Sequence, residues 1–246
     1  MRCQPRYKKQ VYIWLKNKQF CLLCDEGADG TTPICMACET DLPWLGDHCQ
    51  CCALPLPVAG LTCGQCLSQP PAFERVIAPW TYSFPIDSLI TRFKHNAKWP
   101  FGHLLGELLT QALQHRFEDD LPQPDLLLPV PLATRRLRQR GFNQAAMLAR
   151  WLSTALHIPC DERSLLRTQD TGAQQTLNAE ARKKNLRNAF ALTPEASFKG
   201  RHLALVDDVL TTGATAQALA RLLTDAGAAR VDIYCLARTP KPGEST

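Results

Sequence analysis

The stretch Leu203-Ala-Leu-Val-Asp-Asp-Val-Leu-Thr-Thr-Gly-Ala-Thr215 decides how the second half of this chain is read. Its apolar opening predicts a buried strand over 201–206 that delivers Asp207 and Asp208 at its carboxyl end, where open α/β sheets bind their ligands. Thr211, Thr212, Gly213, Ala214 and Thr215 then make a turn into a helix predicted over 214–226. Backbone N–H groups at such a turn, with the positive end of the helix behind them, cradle anions. The threonine hydroxyls add donors, and Gly213 removes a side chain that would block a phosphate. Two carboxylates repel that phosphate but suit sugar hydroxyls, or a magnesium ion, beside it. No lysine follows the glycine, so this is not a Walker loop.

Working outward, residues 74–83 (ERVIAPWTYS) predict a strand interrupted by Pro79, and 101–117 an amphipathic helix. Residues 125–131 (DLLLPVP) read as a buried strand ended by prolines, 145–156 as a second amphipathic helix and 231–237 as a further strand. Strands alternating with helices predict an α/β fold, a mainly parallel sheet flanked by helices. Just past the 125–131 strand, Arg135, Arg136, Arg138 and Arg140 offer guanidinium groups for pyrophosphate oxygens, and a solvated basic face explains any one of them as well. Farther on, Arg167, Gln174, Gln175, Arg182, Lys183, Lys184 and Arg187 mark a polar stretch expected to close as a loop over a charged ligand.

The quoted stretch resembles the phosphoribosyl pyrophosphate (PRPP) signature of type I phosphoribosyltransferases. That resemblance implies that Asp207 and Asp208 hold the ribose hydroxyls while Thr211 to Thr215 hold the 5′-phosphate, with magnesium accompanying PRPP. Arg135 and Arg140 are the expected pyrophosphate contacts, and Gln174 and Gln175 belong to the expected flexible loop.

The first half is organised by cysteine. Ten of twelve cysteines fall within the first 66 residues, and eight form Cys-x-x-Cys pairs: Cys21/Cys24, Cys35/Cys38, Cys49/Cys52 and Cys63/Cys66. First members recur every 14 residues. Each pair aims two thiolates at one ion and two pairs complete a tetrahedral zinc site, so two structural zinc ions are expected. Neighbouring pairs sharing an ion is the simplest scheme; a cross-brace of alternate pairs stays open. Four thiolates leave no position for water or substrate. Few apolar residues surround the cysteines, so metal is expected to supply much of the folding energy. Cys3 and Cys51, outside the period, read as free thiols. The organisation expected is a double zinc ribbon over 1–70, a phosphoribosyltransferase-like domain over 71–240 and a loose tail over 241–246.

The chain has 246 residues, 45% apolar and 21% charged, the composition of a globular protein. Nothing in it approaches the roughly 18 apolar residues of a membrane span. The apolar run 11–15 is too short for a signal-peptide core, so a cytoplasmic protein is expected, and its cysteines point to metal rather than disulfides. The net charge of +5 is concentrated: 1–20 carry six Lys or Arg and no acid, and 132–187 carry eleven basic against four acidic side chains. Such segments suit phosphate-bearing partners. The six histidines are scattered, without catalytic spacing.

The ensemble of cysteine knuckles, the Pro-Val-Pro-Leu…Arg-Gly-Phe-Asn-Gln segment of 129–144, the Gln-x-x-Leu…Arg…Asn…Ala-Phe segment and the 203–215 turn resembles the ComF-type competence proteins. That resemblance implies a cytoplasmic accessory role in the use of extracellular DNA, or its uptake, with single-stranded DNA, PRPP and DNA-uptake machinery proteins as partners. Trp44, Trp80, Phe93, Trp99 and Phe142 are either stacking surfaces for bases or core residues. Two alternatives compete: a genuine phosphoribosyltransferase in nucleotide salvage, lacking a recognisable base-specificity element, and a regulator that senses PRPP or a nucleotide.

Overall fold

The computed structural model describes residues 19–28, 30–96, 98–119, 121–168 and 189–241. The chain divides into two compact units, residues 1–42 and 43–246. The division falls between the two cysteine quartets rather than after both.

In the smaller unit, β1 (Gln19–Phe20) and β2 (Gly27–Ala28) pair antiparallel, and a short helix, α1 (Met36–Thr40), follows. The chain reverses after Cys21: its N–H donates to Glu26 O at 2.7 Å, the Asp25 N–H returns to Cys21 O at 2.9 Å, and Asp25 sits at φ 63°. Cys35 is the residue before α1, with extended φ and ψ. The larger unit repeats this design 28 residues on. Cys49 N–H donates to Leu54 O at 2.8 Å, Ala53 N–H to Cys49 O at 2.9 Å, Ala53 has φ 54°, and Cys63 precedes α2 (Gly64–Ser68). The 14-residue spacing of the pairs is therefore half of a 28-residue structural repeat: one pair forms a reverse turn and the next opens a helix.

The rest of the larger unit is built on a parallel sheet. Its strands are β3 (Arg75–Ile77), β4 (Trp80–Thr81), β5 (Leu126–Pro129), β8 (His202–Leu210) and β9 (Arg230–Arg238). Spatial order is β3-β9-β8-β5, with β4 continuing beside β9 past Pro79, and every pairing is parallel. The helices are α3 (Ile86–Asn96), α4 (Trp99–Glu118), α5 (Thr134–Arg140), α6 (Gln144–Leu156) and α7 (Ala214–Asp225). Strand alternation puts Leu203, Leu205, Val231, Ile233 and Cys235 into one core with Leu219, Ala220 and Leu223 of α7. The intervening positions Ala204, Val206, Tyr234 and Leu236 are equally buried, and α4 and α6 pack on β9 and on β5 and β8. The parallel sheet flanked by helices matches the fold expected. A separate antiparallel pair, β6 (Leu165–Arg167) with β7 (Phe190–Leu192), was not anticipated, nor were α3 and α5.

Two differences bear on the site. Strand β8 runs on to Leu210, four residues beyond the apolar run, because Asp207, Val209 and Leu210 keep pairing with Cys235, Ala237 and Arg238 of β9. The second quartet also shares the core of the sheet: Ala53 is fully buried beside Phe73 and Val76, and the Val76 N–H donates to Cys51 O at 2.9 Å. Among the described residues, no helix is long and apolar enough to cross a membrane.

Candidate functional site

Each quartet converges. The four Sγ atoms of Cys21, Cys24, Cys35 and Cys38 lie within 4.8 Å of one another, as do those of Cys49, Cys52, Cys63 and Cys66. Neighbouring pairs therefore come together, and the cross-brace is not formed. A zinc ion with Zn–S bonds of about 2.3 Å requires sulfurs about 3.8 Å apart. Cys24 to Cys35 measures 3.7 Å and Cys52 to Cys63 3.8 Å. The charges fit as well. Burial acts to raise Cys21, but backbone N–H groups at Cys35, Leu23 and Cys24 hold it down to about 6. Cys49 is held at about 7 in the same way, against its burial, by the backbone of Cys52, Cys63 and Cys51. Burial and the crowding of sulfurs push Cys38 and Cys66 up. Four thiolates without a cation repel one another, and a divalent ion removes that repulsion. Each quartet could hold one metal ion.

The turn after β8 is open. Thr211 and Thr212 are exposed, while Gly213, Ala214 and Thr215 are half-exposed. The Ala214 N–H leans on Thr212 Oγ1 at 3.4 Å, and the Gln217 N–H donates to Gly213 O at 2.8 Å, closing the first turn of α7. Gly213 stands at φ 74°. A Cβ there meets nothing within 4 Å, so glycine is required by the left-handed backbone; room for a phosphate is a consequence rather than the cause.

The carboxylates diverge, because consecutive strand residues point to opposite faces. Asp208 faces the side of α3 and is 5% exposed, its Oδ2 2.9 Å from Lys94 Nζ. Burial first, and then the Asp208 charge, push Asp207 up to about 7, while the Asp208 N–H, donating to Asp207 Oδ1 at 2.8 Å, Lys94 and Arg167 hold it back.

Beside Asp208 lies a cleft of about 440 Å³ lined, among the described residues, by Lys94, His95, Arg136, Gln139 and Arg140. Burial, reinforced by Arg136 and opposed by Asp208, lowers the Arg140 pKa. A guanidinium short of water and crowded by another cation gains by meeting an anion. Arg140 also donates to Gln144 Oε1. Arg135 is exposed on α5 and is not among the residues lining the cleft; Arg136 is. The Gly-Phe-Asn that follows builds the bend behind it. Gly141 closes α5 at φ 84°. Asn143 caps α6 by accepting the Ala145 N–H at 3.0 Å and donates to Val130 O at 3.0 Å. Phe142 packs with Trp99 and Phe93 at ring separations of 4.8 and 5.5 Å.

Of the aromatic residues considered for stacking, Trp80 and Phe93 are fully buried core, whereas Trp44 and Trp99 keep exposed area. Gln174 and Gln175 lie outside the described residues, as do the basic segment 1–18 and the tail 242–246. Lys94 and Gln139 were not singled out in the sequence, and His95 was given no role there. The signal was faint, a Lys-His pair ending an amphipathic helix, a place where cations commonly stand for the helix dipole alone.

A family model described as a phosphoribosyl transferase domain matches residues 142–245, the segment carrying the turn. DNA utilization protein YhgH of Escherichia coli K12 is 41% identical over 177 residues, 72% of this chain and 77% of that protein. Competence protein F of Haemophilus influenzae is 36% identical over 71% of this chain and 77% of its own. Competence protein ComFC of Bacillus subtilis is 29% identical, over 65% and 62%. A purine phosphoribosyltransferase of Pyrococcus horikoshii aligns with 60% of this chain and 80% of its own at 20% identity, with a TM-score of 0.36. Paired cysteine quartets, a phosphoribosyl transferase segment and these identities across three quarters of the relatives' length establish that the chain belongs to the ComF-type family of DNA utilization and competence proteins.

Proposed function

We propose that this protein binds PRPP, or a related sugar phosphate, at the 211–215 turn and serves DNA uptake or the use of extracellular DNA by handling single strands in the cytoplasm. The observation that carries the reading is one juxtaposition: an open Thr-Thr-Gly turn and a cleft lined by arginine and lysine sit at the carboxyl ends of neighbouring parallel strands, with a buried carboxylate between them. The 5′-phosphate takes the N–H groups of Gly213, Ala214 and Thr215 and the hydroxyls of Thr211 and Thr212. The pyrophosphate takes Arg136 and Arg140, with Arg135 available at the rim. Asp208, on the cleft side of β8, accepts from the ribose hydroxyls, Lys94 leaving it for the pyrophosphate, and Asp207 backs it from the other face by accepting the Asp208 N–H. Two cations beside Asp208 are a poor setting for a bare magnesium ion, so magnesium belongs with the pyrophosphate that brings it.

The DNA part of the reading is supported by the relatives' names and by the basic segments 1–20 and 132–187 of the sequence. Each quartet is assigned a structural zinc ion, which supplies cross-linking and no chemistry. The organisation proposed is a double zinc ribbon through residue 70 ahead of a phosphoribosyltransferase-like domain, with DNA-uptake proteins as protein partners.

Titration of the zinc-loaded protein with PRPP and magnesium, and separately with a short single-stranded oligonucleotide, tests the reading. Binding of both, with oligonucleotide affinity falling steeply as salt rises, is expected. Absence of PRPP binding overturns the sugar-phosphate site, and salt-insensitive oligonucleotide binding overturns the phosphate-contact mechanism. Consumption of PRPP with any nucleobase would instead promote a true transferase; PRPP binding that changes affinity for a protein partner without turnover would promote a sensor.

A further inference from the structure

Arg238, the last residue of β9, is 7% exposed, and its guanidinium is fanned across main-chain carbonyls. Its Nε donates to Cys52 O at 2.9 Å. Its Nη1 donates to Leu210 O at 3.1 Å, Thr211 O at 2.5 Å and Thr239 O at 2.7 Å. Cys52 belongs to the second cysteine quartet and Thr211 opens the anion-binding turn. A single buried cation thus bridges the metal knuckle and the turn.

The bridge is stiff at both ends. The peptide of Cys52 is fixed by its own sulfur in the quartet and by the neighbouring turn, where Cys49 O accepts the Ala53 N–H. Leu210 O also accepts from the Thr239 N–H at 3.1 Å, and Arg238 O accepts the Tyr82 N–H at 2.8 Å, so the strand end that carries the guanidinium has little freedom. Carbonyls, not a carboxylate, receive this charge. A carbonyl that accepts from a guanidinium turns its oxygen toward it and the rest of its peptide away, so holding Leu210 O and Thr211 O orients the peptides whose N–H groups, at Thr211 and Thr212, begin the turn. If the quartet opens, Cys52 O moves, and the guanidinium loses the acceptor that sets its plane.

We infer that Arg238 is a positioning residue through which metal occupancy of the Cys49–Cys52–Cys63–Cys66 site sets the affinity of the 211–215 turn for a phosphorylated sugar. Coupling between two sites is reciprocal, so a ligand at the turn also holds the metal in the second quartet. This rests on the proposed reading of the turn as the sugar-phosphate site.

Reciprocity supplies a test on the intact, metal-loaded chain. Zinc release to a chromogenic chelator, after addition of a thiol-modifying reagent, is followed with and without PRPP and magnesium, while PRPP binding is measured by calorimetry. The expected result is two release phases, one of which PRPP slows several-fold, with peptide mapping placing the protected thiols at Cys49 to Cys66. In Arg238→Lys, which keeps the charge but cannot span the carbonyls, PRPP affinity falls roughly tenfold, as expected for losing charged hydrogen bonds at a buried site, and the protection disappears. Hydrogen exchange at 211–215 quickens in this variant at unchanged metal content and unchanged far-ultraviolet dichroism. Arg238→Gln provides a second variant should the lysine chain fail to fold. PRPP that binds the wild type yet leaves both release phases unaltered, or a folded variant with wild-type affinity, overturns the inference. A wild type that binds no PRPP overturns the assignment of the turn instead, so the two failures are told apart by the calorimetry.

Discussion

Replacing Lys94 by methionine removes the cation from the most buried charge pair of the site. Lys94 Nζ and Asp208 Oδ2 are 2.9 Å apart, with side chains 20% and 7% exposed. At an effective dielectric near 20 their attraction is about 6 kcal/mol, most of it offset by the cost of taking both ions out of water. The pair as a whole therefore contributes little, but breaking it from one side strands a carboxylate. Such one-sided losses cost roughly 3–5 kcal/mol; Lys94→Met is expected near the lower end, about 3 kcal/mol, because Arg140 still faces Asp208. Asp208→Asn is milder, since the flexible lysine can swing to water. The double variant is expected within about 1 kcal/mol of the wild type, a coupling of at least about 2 kcal/mol. Urea unfolding of the four proteins, followed by far-ultraviolet dichroism and analysed at a common slope, measures it. A coupling below about 0.5 kcal/mol would refute the reasoning, because the ion pair would then be no more than a surface contact.

Asp207 gives the site a pH dependence with a definite sign. Its carboxyl is pushed from 3.8 to about 7 in the folded chain, so between those values the native state retains a proton that the unfolded chain releases. Stability contributed by this group is complete below about pH 4 and is lost as pH rises toward 7; stability curves of Asp207→Asn should lack that decline, and identical curves would contradict the assignment. Gly213→Ala places a Cβ in open space but at φ 74°, so it is expected to cost about 1 kcal/mol by conformation alone and to weaken PRPP binding; unchanged melting temperature and affinity would show the turn to be adaptable. Cys35→Ser is expected to lower zinc content from two ions to one and to loosen residues 19–42 in hydrogen exchange, whereas retention of both ions would remove Cys35 from the ligand set.

Much of the fold was legible because its signals are local. Residues 126–129 and 203–206 are apolar runs, and a strand buried on both faces has no reason to alternate. The cysteine pairs announced themselves by spacing, since a thiolate pair two residues apart can face one ion whatever surrounds it. Helices α3 and α5 were missed for opposite reasons. The first was obscured by the prolines and polar residues around it, and the second, Thr134–Arg140, reads as a run of ligand-binding cations: it buries no side chain, and is closed at its end by the Gly141 N–H donating to Leu137 O at 2.7 Å.

By itself, then, the amino-acid order settled the strands of the parallel sheet and the helices α4, α6 and α7 between them, the Thr-Thr-Gly turn and the eight paired thiols, all of them matters of neighbours along the chain. Tertiary structure alone decided which cysteine pairs share a centre, that Lys94 and Arg136 rather than Arg135 line the cleft, and that Arg238 reaches back 186 residues to Cys52. These are pairings of groups far apart in sequence. Which charge meets which depends on strand order and helix placement, and those follow from burying the whole core at once rather than from any local preference.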